Sequence, residues 1–132
     1  MTQKNIDAMN RIVDELTSGK KLSEALKYVY SKRYVEIPFN DIDFDIDVKE
    51  LELPLRVENA LLRSGLWNVD AVVKYAETNS VKNIRNMGVS SCVALFETIL
   101  DYMWGHMSNK ERTAFLIATV ENNEDNLIYI AE

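Results

Sequence analysis

The fold is decided by residues 48–100, which read VKELELPLRVENALLRSGLWNVDAVVKYAETNSVKNIRNMGVSSCVALFETIL. Apolar residues recur at helical spacing through this stretch, and polar or glycine-containing breaks separate the recurrences. The pattern predicts four short helices, over about 54–65, 68–76, 80–85 and 90–104. Asn68 is expected to cap the second helix, and Gly65 and Gly88 are expected to adopt the positive φ of a helix stop. The last helix should bury one wide apolar face, to which Val93 is assigned with Leu95 and Ile99.

The flanking residues also predict helices. Residues 4–17 and 22–32 each carry one apolar stripe, with Gly19 as the stop between them, and together they predict a helical hairpin within residues 1–40. Ser108 and Glu111 have the spacing of a capping box ahead of a C-terminal helix.

The connecting segment alternates acidic and apolar residues from Asp41 to Val48. A period of two indicates an extended segment with one apolar face. This segment is either a strap lying on the helices or a solvated acidic connector. Its acidic residues resemble a calcium loop in spacing, but Ile46 occupies the position where such a loop needs glycine, so no metal is expected.

Composition and charge narrow the function classes. The protein has 132 residues and a net charge of −6, which disfavours indiscriminate binding to nucleic acid and favours protein partners or a localised DNA site. The only basic concentration lies within residues 20–33, and it is either a solvated helix face or a second contact for phosphates or an acidic protein. No apolar run is long enough for a membrane span, and the N-terminus lacks the pattern of a signal peptide, so a cytoplasmic protein without a membrane partner is expected.

Catalytic chemistry finds no support in the sequence. Cys92 and His106 are the only residues of their types, so neither a zinc site nor a nucleophilic dyad is indicated. No phosphate-binding loop and no paired catalytic acids are present. We therefore expect no enzyme activity, no catalytic residue, no metal and no cofactor.

The central stretch, residues 48–104, resembles the C-terminal domain of the bacterial RNA polymerase α subunit. The resemblance lies in three motifs: an acidic-apolar lead-in at residues 50–53, an Arg and an Asn three residues apart at Arg56 and Asn59, and the turn Met87-Gly88-Val89-Ser90-Ser91. It implies an all-α fold, a compact bundle of short helices containing a helix-hairpin-helix. The protein would add an N-terminal helical hairpin (1–40), and residues 41–132 would form the α-subunit-like region with an extra C-terminal helix.

The resemblance also implies a site. In the family these motifs converge on the minor groove of A/T-rich promoter DNA, and the candidate DNA-binding residues here are Arg56, Asn59, Gly88, Val89, Ser90 and Ser91. Arginine suits the negative potential of a narrow minor groove, and amides at the start of a helix favour a phosphate. The partners implied are A/T-rich DNA, RNA polymerase or a transcription factor.

One departure from the family pattern weakens the DNA interpretation. Family members usually carry a lysine beside the serine of the turn, whereas this sequence has Val89 and Ser90. Few phosphates can then be neutralised, so DNA affinity should be low. A protein-interaction module that uses the same fold without binding DNA is therefore the alternative function.

Overall fold

A computed structural model describes residues 1–31, 35–38, 46–78, 81–84 and 87–127. These residues form six α-helices and three short 3-10 helices, at Val48–Leu51, Val81–Asn83 and Glu124–Asn126. The described ranges contain two isolated β-bridges and no extended strand, which confirms the all-α prediction. The α-helices are α1 (Gln3–Thr17), α2 (Leu22–Leu26), α3 (Leu55–Arg63), α4 (Val69–Thr78), α5 (Val89–His106) and α6 (Asn109–Asn122).

The contacts divide the protein into two compact units. One comprises Met1–Pro38 with Trp104–Glu132, and the other comprises Phe39–Met103, so the division falls inside α5. These units group the residues differently from the boundary at residue 40 expected from the sequence, and that domain boundary stays a prediction.

Where four helices were expected over residues 54–104, the Phe39–Met103 unit contains α3, α4, a 3-10 turn and α5 up to Met103. Gly65 follows α3 with φ +76°, the left-handed backbone that ends a helix most readily at glycine. The N–H of Ala71 donates to the side-chain oxygen of Asn68 at 2.8 Å, so Asn68 caps α4 as predicted. The third helix is shorter than expected, a single 3-10 turn at Val81–Asn83, and the adjoining residues 79–80 and 85–86 lie outside the described residues.

Burial in this unit follows the apolar periodicity of its helices. Side chains that are at most 3% exposed come from α3, α4 and α5, among them Val57, Leu61, Val72, Leu95 and Ile99, and from the 3-10 helix before α3, which supplies Val48. Burying side chains of this kind provides the main free energy that offsets the ordering of the backbone.

The lead-in to α3 is held against the start of α4. The N–H of Val48 donates to the carbonyl of Trp67 at 2.9 Å, and the N–H of Val69 donates to the carbonyl of Ile46 at 2.8 Å. Ile46 and Val48 are buried while Asp47 between them is exposed, so the alternation predicted from the sequence holds at these three residues. They support the strap interpretation there; residues 41–45 of the alternating segment lie outside the described residues.

The other unit begins with the helical hairpin predicted from the sequence. The side chain of Thr2 accepts the N–H of Asn5 at 3.2 Å and caps α1, and Gly19 follows the helix with φ +98°, as expected of a stop. The second helix, predicted over residues 22–32, ends at Leu26 instead. Aromatic and β-branched residues at 28–30 have low helix propensity, and Tyr30 is fully buried in a bridge with Leu127, which requires a non-helical backbone.

The C-terminal helix packs with the N-terminal one in this unit. The Ser108–Glu111 capping box at the start of α6 is confirmed, and residues of α6 contact α1. Asn123 is buried, and its side-chain amide accepts the N–H of Glu36 at 2.6 Å and donates to the Glu36 carbonyl at 2.8 Å. That two-way pairing fixes the extended residues 35–38 beside the end of α6.

Candidate nucleic-acid interface

Arg56 lies in the first turn of α3 and connects this helix with the start of α5. Pro54 immediately precedes the helix, and its fixed φ suits the entry into a helix. The Arg56 side chain is exposed, and its Nη2 donates to Ser91 Oγ at 3.1 Å. The motif that contains Arg56 and the turn that contains Ser91 therefore meet at one surface, although the two residues are 35 positions apart in sequence.

Asn59 follows Arg56 by three residues on α3, so both lie on one side of the helix. Its side chain is not fully buried, while its backbone carbonyl accepts Arg63 Nε at 3.3 Å. The amide group of Asn59 thus reaches solvent next to the Arg56 position.

The turn before α5 presents backbone amides. The first hydrogen bond of the helix runs from the N–H of Cys92 to the carbonyl of Gly88, at 3.0 Å. This arrangement leaves the N–H groups of residues 89–91 without a partner inside the helix. Unpaired amides at a helix start, together with the helix dipole, attract an anion such as a phosphate.

Gly88 differs from its sequence-based prediction. Its φ lies outside the left-handed region, because it precedes a helix instead of ending one, so the expected positive φ is wrong. A Cβ added at Gly88 would meet nothing within 4 Å, and the residue is exposed. Neither backbone strain nor internal packing demands glycine here, and the backbone at Gly88 is open to solvent.

The remaining three candidates occupy the first turn of α5 in different environments. Val89 is 66% exposed and Ser90 is exposed, whereas Ser91 is only 9% exposed and accepts the hydrogen bond from Arg56. Five of the six candidate residues therefore reach the surface, and Ser91 lies beneath them.

The sequence predicts Val93 on the buried face of the last helix, and that prediction is wrong. The side chain is 52% exposed, one turn after Val89 on the same side of α5. Successive helical residues are separated by about 100°, so Val93 points away from the buried Leu95 and Ile99. The helical period alone does not identify the exposed valines, because the buried Leu100 follows Val93 by seven residues, within about 20° on the same side of α5.

The charge of Arg56 is not neutralised by its acidic neighbours. Among the described residues, neither Glu52 nor Glu58 forms an ion pair with it, although both lie within four residues. Its one hydrogen-bond partner there is the uncharged hydroxyl of Ser91. The positive charge therefore remains at the surface.

The basic segment at residues 20–33 is partly compensated. Lys20 Nζ lies 2.6 Å from a carboxylate oxygen of Glu15, and this pairing raises the pKa of Lys20 and lowers the pKa of Glu15. Lys20 and Arg11 also lie over the ring of Tyr28, with distances to the ring centroid of 5.0 and 5.6 Å. Lys32 and Arg33 lie outside the described residues, so a second phosphate contact at this segment stays a prediction.

Neither a metal-binding cluster nor a membrane-spanning helix occurs in the described ranges. They hold no group of three or more His, Cys, Asp or Glu side chains that could bind a metal ion, and residues 41–45 of the calcium-like spacing lie outside them. No helix within them is both long and apolar enough to cross a membrane.

Comparison with known proteins identifies the central region. Residues 38–99 match the family model for the C-terminal domain of the alpha subunit of bacterial RNA polymerase. The match contains all six candidate residues and runs from before α3 into α5. No curated protein and no solved structure matches this sequence. The matched family is non-catalytic. Residues 38–99 are therefore similar to the C-terminal domain of the RNA polymerase alpha subunit.

Proposed function

We propose that this domain binds A/T-rich duplex DNA, with Arg56 in the minor groove and the start of α5 against an adjacent phosphate. The observation that carries the proposal is the contact between Arg56 and Ser91, because it joins an exposed, unneutralised arginine and a set of unpaired helix amides in one surface. A guanidinium is favoured where the groove is narrow, and amides favour the backbone that borders it.

Asn59 and Gly88 complete the proposed surface. The accessible amide of Asn59 can donate to a sugar or phosphate oxygen, and the open space at Gly88 allows the DNA backbone to approach closely. Affinity is expected to be low, because the turn carries no lysine and the protein has a net charge of −6. RNA polymerase or a transcription factor is the partner that would hold the domain at its DNA site.

The proposal is tested by titrating labelled A/T-rich and G/C-rich duplexes with the full-length protein at several salt concentrations. Arg56→Ala should weaken binding to the A/T-rich duplex by roughly tenfold, which corresponds to ~1.4 kcal/mol. Lys110→Ala is the control, since it removes one positive charge at an exposed position of α6, outside residues 38–99 and outside the proposed surface. Equal losses for the two variants would show a general charge effect and contradict the proposed contact.

Protein interaction without DNA binding is the second candidate function. The observation that favours it is the exposure of Leu55, Val89 and Val93, at 69%, 66% and 52%, around the same site. Apolar side chains at the surface are typical of protein contacts rather than of phosphate contacts. This function predicts no duplex binding near physiological salt. It also predicts that Val93→Glu abolishes co-purification with bacterial RNA polymerase whereas Arg56→Ala leaves it intact.

A further inference from the structure

We infer that Ser91 is a positioning residue for Arg56 and not a phosphate ligand. The inference rests on the proposed function and assigns a different role to one of its residues. Ser91 Oγ accepts the hydrogen bond from Arg56 Nη2 at 3.1 Å, and the Ser91 residue is only 9% exposed. The neighbouring Ser90 is exposed, so the two adjacent serines have different surroundings on one helical turn.

The burial of Ser91 decides between the two roles. A hydroxyl has one proton to donate and two lone pairs that accept, and Arg56 already occupies one of these lone pairs. A phosphate in the groove is reached by exposed donors, which Ser90 and the first amides of α5 supply. The hydroxyl proton of Ser91 stays available while Arg56 donates to its oxygen, but Ser91 would have to become more exposed in order to donate that proton to a phosphate.

The hydrogen bond to Ser91 restricts the Arg56 side chain, which would otherwise be free to rotate. An exposed arginine loses rotamer freedom when it enters a groove, and a partner that orients it beforehand reduces this loss. Ser91 is anchored on α5 while Arg56 is anchored on α3, so the orientation is set by two helices of one unit. Since Ser91 acts through Arg56, its effect on binding should depend on Arg56 being present.

The orientation itself can be measured without DNA. In the full-length protein labelled with ¹⁵N, relaxation of the Arg56 Nε–H group reports its motion on the picosecond to nanosecond timescale. Ser91→Ala should increase that motion, and Ser91→Thr, which keeps the hydroxyl, should restore the wild-type value. Ser64→Ala, an exposed serine at the end of α3, is the matched control and should change nothing. Equal mobility of Arg56 in the wild type and in Ser91→Ala would overturn the inference.

A double-mutant cycle on DNA tests the consequence. Ser91→Ala should weaken binding to the A/T-rich duplex by about three- to tenfold in the wild-type background and by less than about twofold in the Arg56→Ala background. Equal weakening in both backgrounds would show that Ser91 contacts DNA directly and would overturn the inference. If the wild type binds no duplex at all, the proposed function is refuted, and the relaxation of Arg56 alone decides whether Ser91 positions it.

Discussion

Replacing Val89 by lysine adds a charge at the place where the turn lacks one. Val89 is the first residue of α5 and is 66% exposed, so the substitution removes little buried apolar area. A cation in the first turn of a helix costs ~0.3–1 kcal/mol through the helix dipole, which the fold should tolerate. The lysine would extend beside the amides that we propose to face a phosphate.

The size of the effect follows from counterion release. One additional phosphate contact makes the slope of log affinity against log salt steeper by about 0.9. Between ~200 and ~50 mM salt, a fourfold change, the affinity of Val89→Lys relative to wild type should therefore rise by about 3.5-fold. A gain of this form separates a new phosphate contact from a change that acts equally at all salt concentrations.

Fluorescence anisotropy with A/T-rich and G/C-rich duplexes at three or more salt concentrations measures this slope. Val13→Lys is the matched control, because Val13 is 43% exposed on α1 and the variant has the same net charge with the lysine outside residues 38–99. If both variants show the same slope of log affinity against log salt, the gain in affinity comes from net charge alone. An unchanged slope for Val89→Lys would refute the placement of a phosphate at the start of α5.

Three further predictions concern stability. Ser108→Ala should lower the free energy of unfolding, measured in urea, by about 1 kcal/mol, because it removes the hydroxyl that caps α6. The backbone N–H of Ser108 lowers the pKa of Glu111 from its ordinary value of 4.5; stability from this group is thus present above pH 4.5 and lost as the pH falls through the lowered pKa. Glu111→Gln should make the free energy of unfolding fall less steeply at acid pH, as measured by urea titrations at several pH values. Tyr30→Phe should leave the free energy of unfolding equal or higher, because within the described residues the Tyr30 hydroxyl is buried without a hydrogen-bond partner. Burial raises the pKa of Tyr30 to about 12, so an alkaline absorbance titration of the variant should lack this tyrosine. A large destabilisation would show that the hydroxyl has a partner.

The sequence determined the helices of the Phe39–Met103 unit and most of their ends. Asn68 caps α4, Gly65 ends α3 and, in the other unit, Ser108 caps α6, each as its local sequence predicts. These features depend on hydrogen bonds and backbone angles within about four residues, so short windows of sequence carry the whole signal. The ordered set of motifs also predicted the family that residues 38–99 match.

The end of α2 and the backbone of Gly88 required the structure. Residues 27–32 continue an apolar stripe, yet the helix stops at Leu26 because Tyr30 is buried in a bridge with Leu127, far along the sequence. A glycine between two predicted helices fits a stop as well as a start, and only the backbone shows that Gly88 precedes α5 without a positive φ.

The composition of the candidate site was likewise decided by tertiary structure. The sequence predicted one role, contact with DNA, for all six candidate residues. Packing buries Ser91 against Arg56 and leaves Val89 and Val93 exposed. Arg56 and Ser91 are 35 residues apart, and their contact exists only because α3 and α5 begin side by side. Local rules fix what each segment becomes, whereas the burial of a residue and its partner depends on which other segments pack around it.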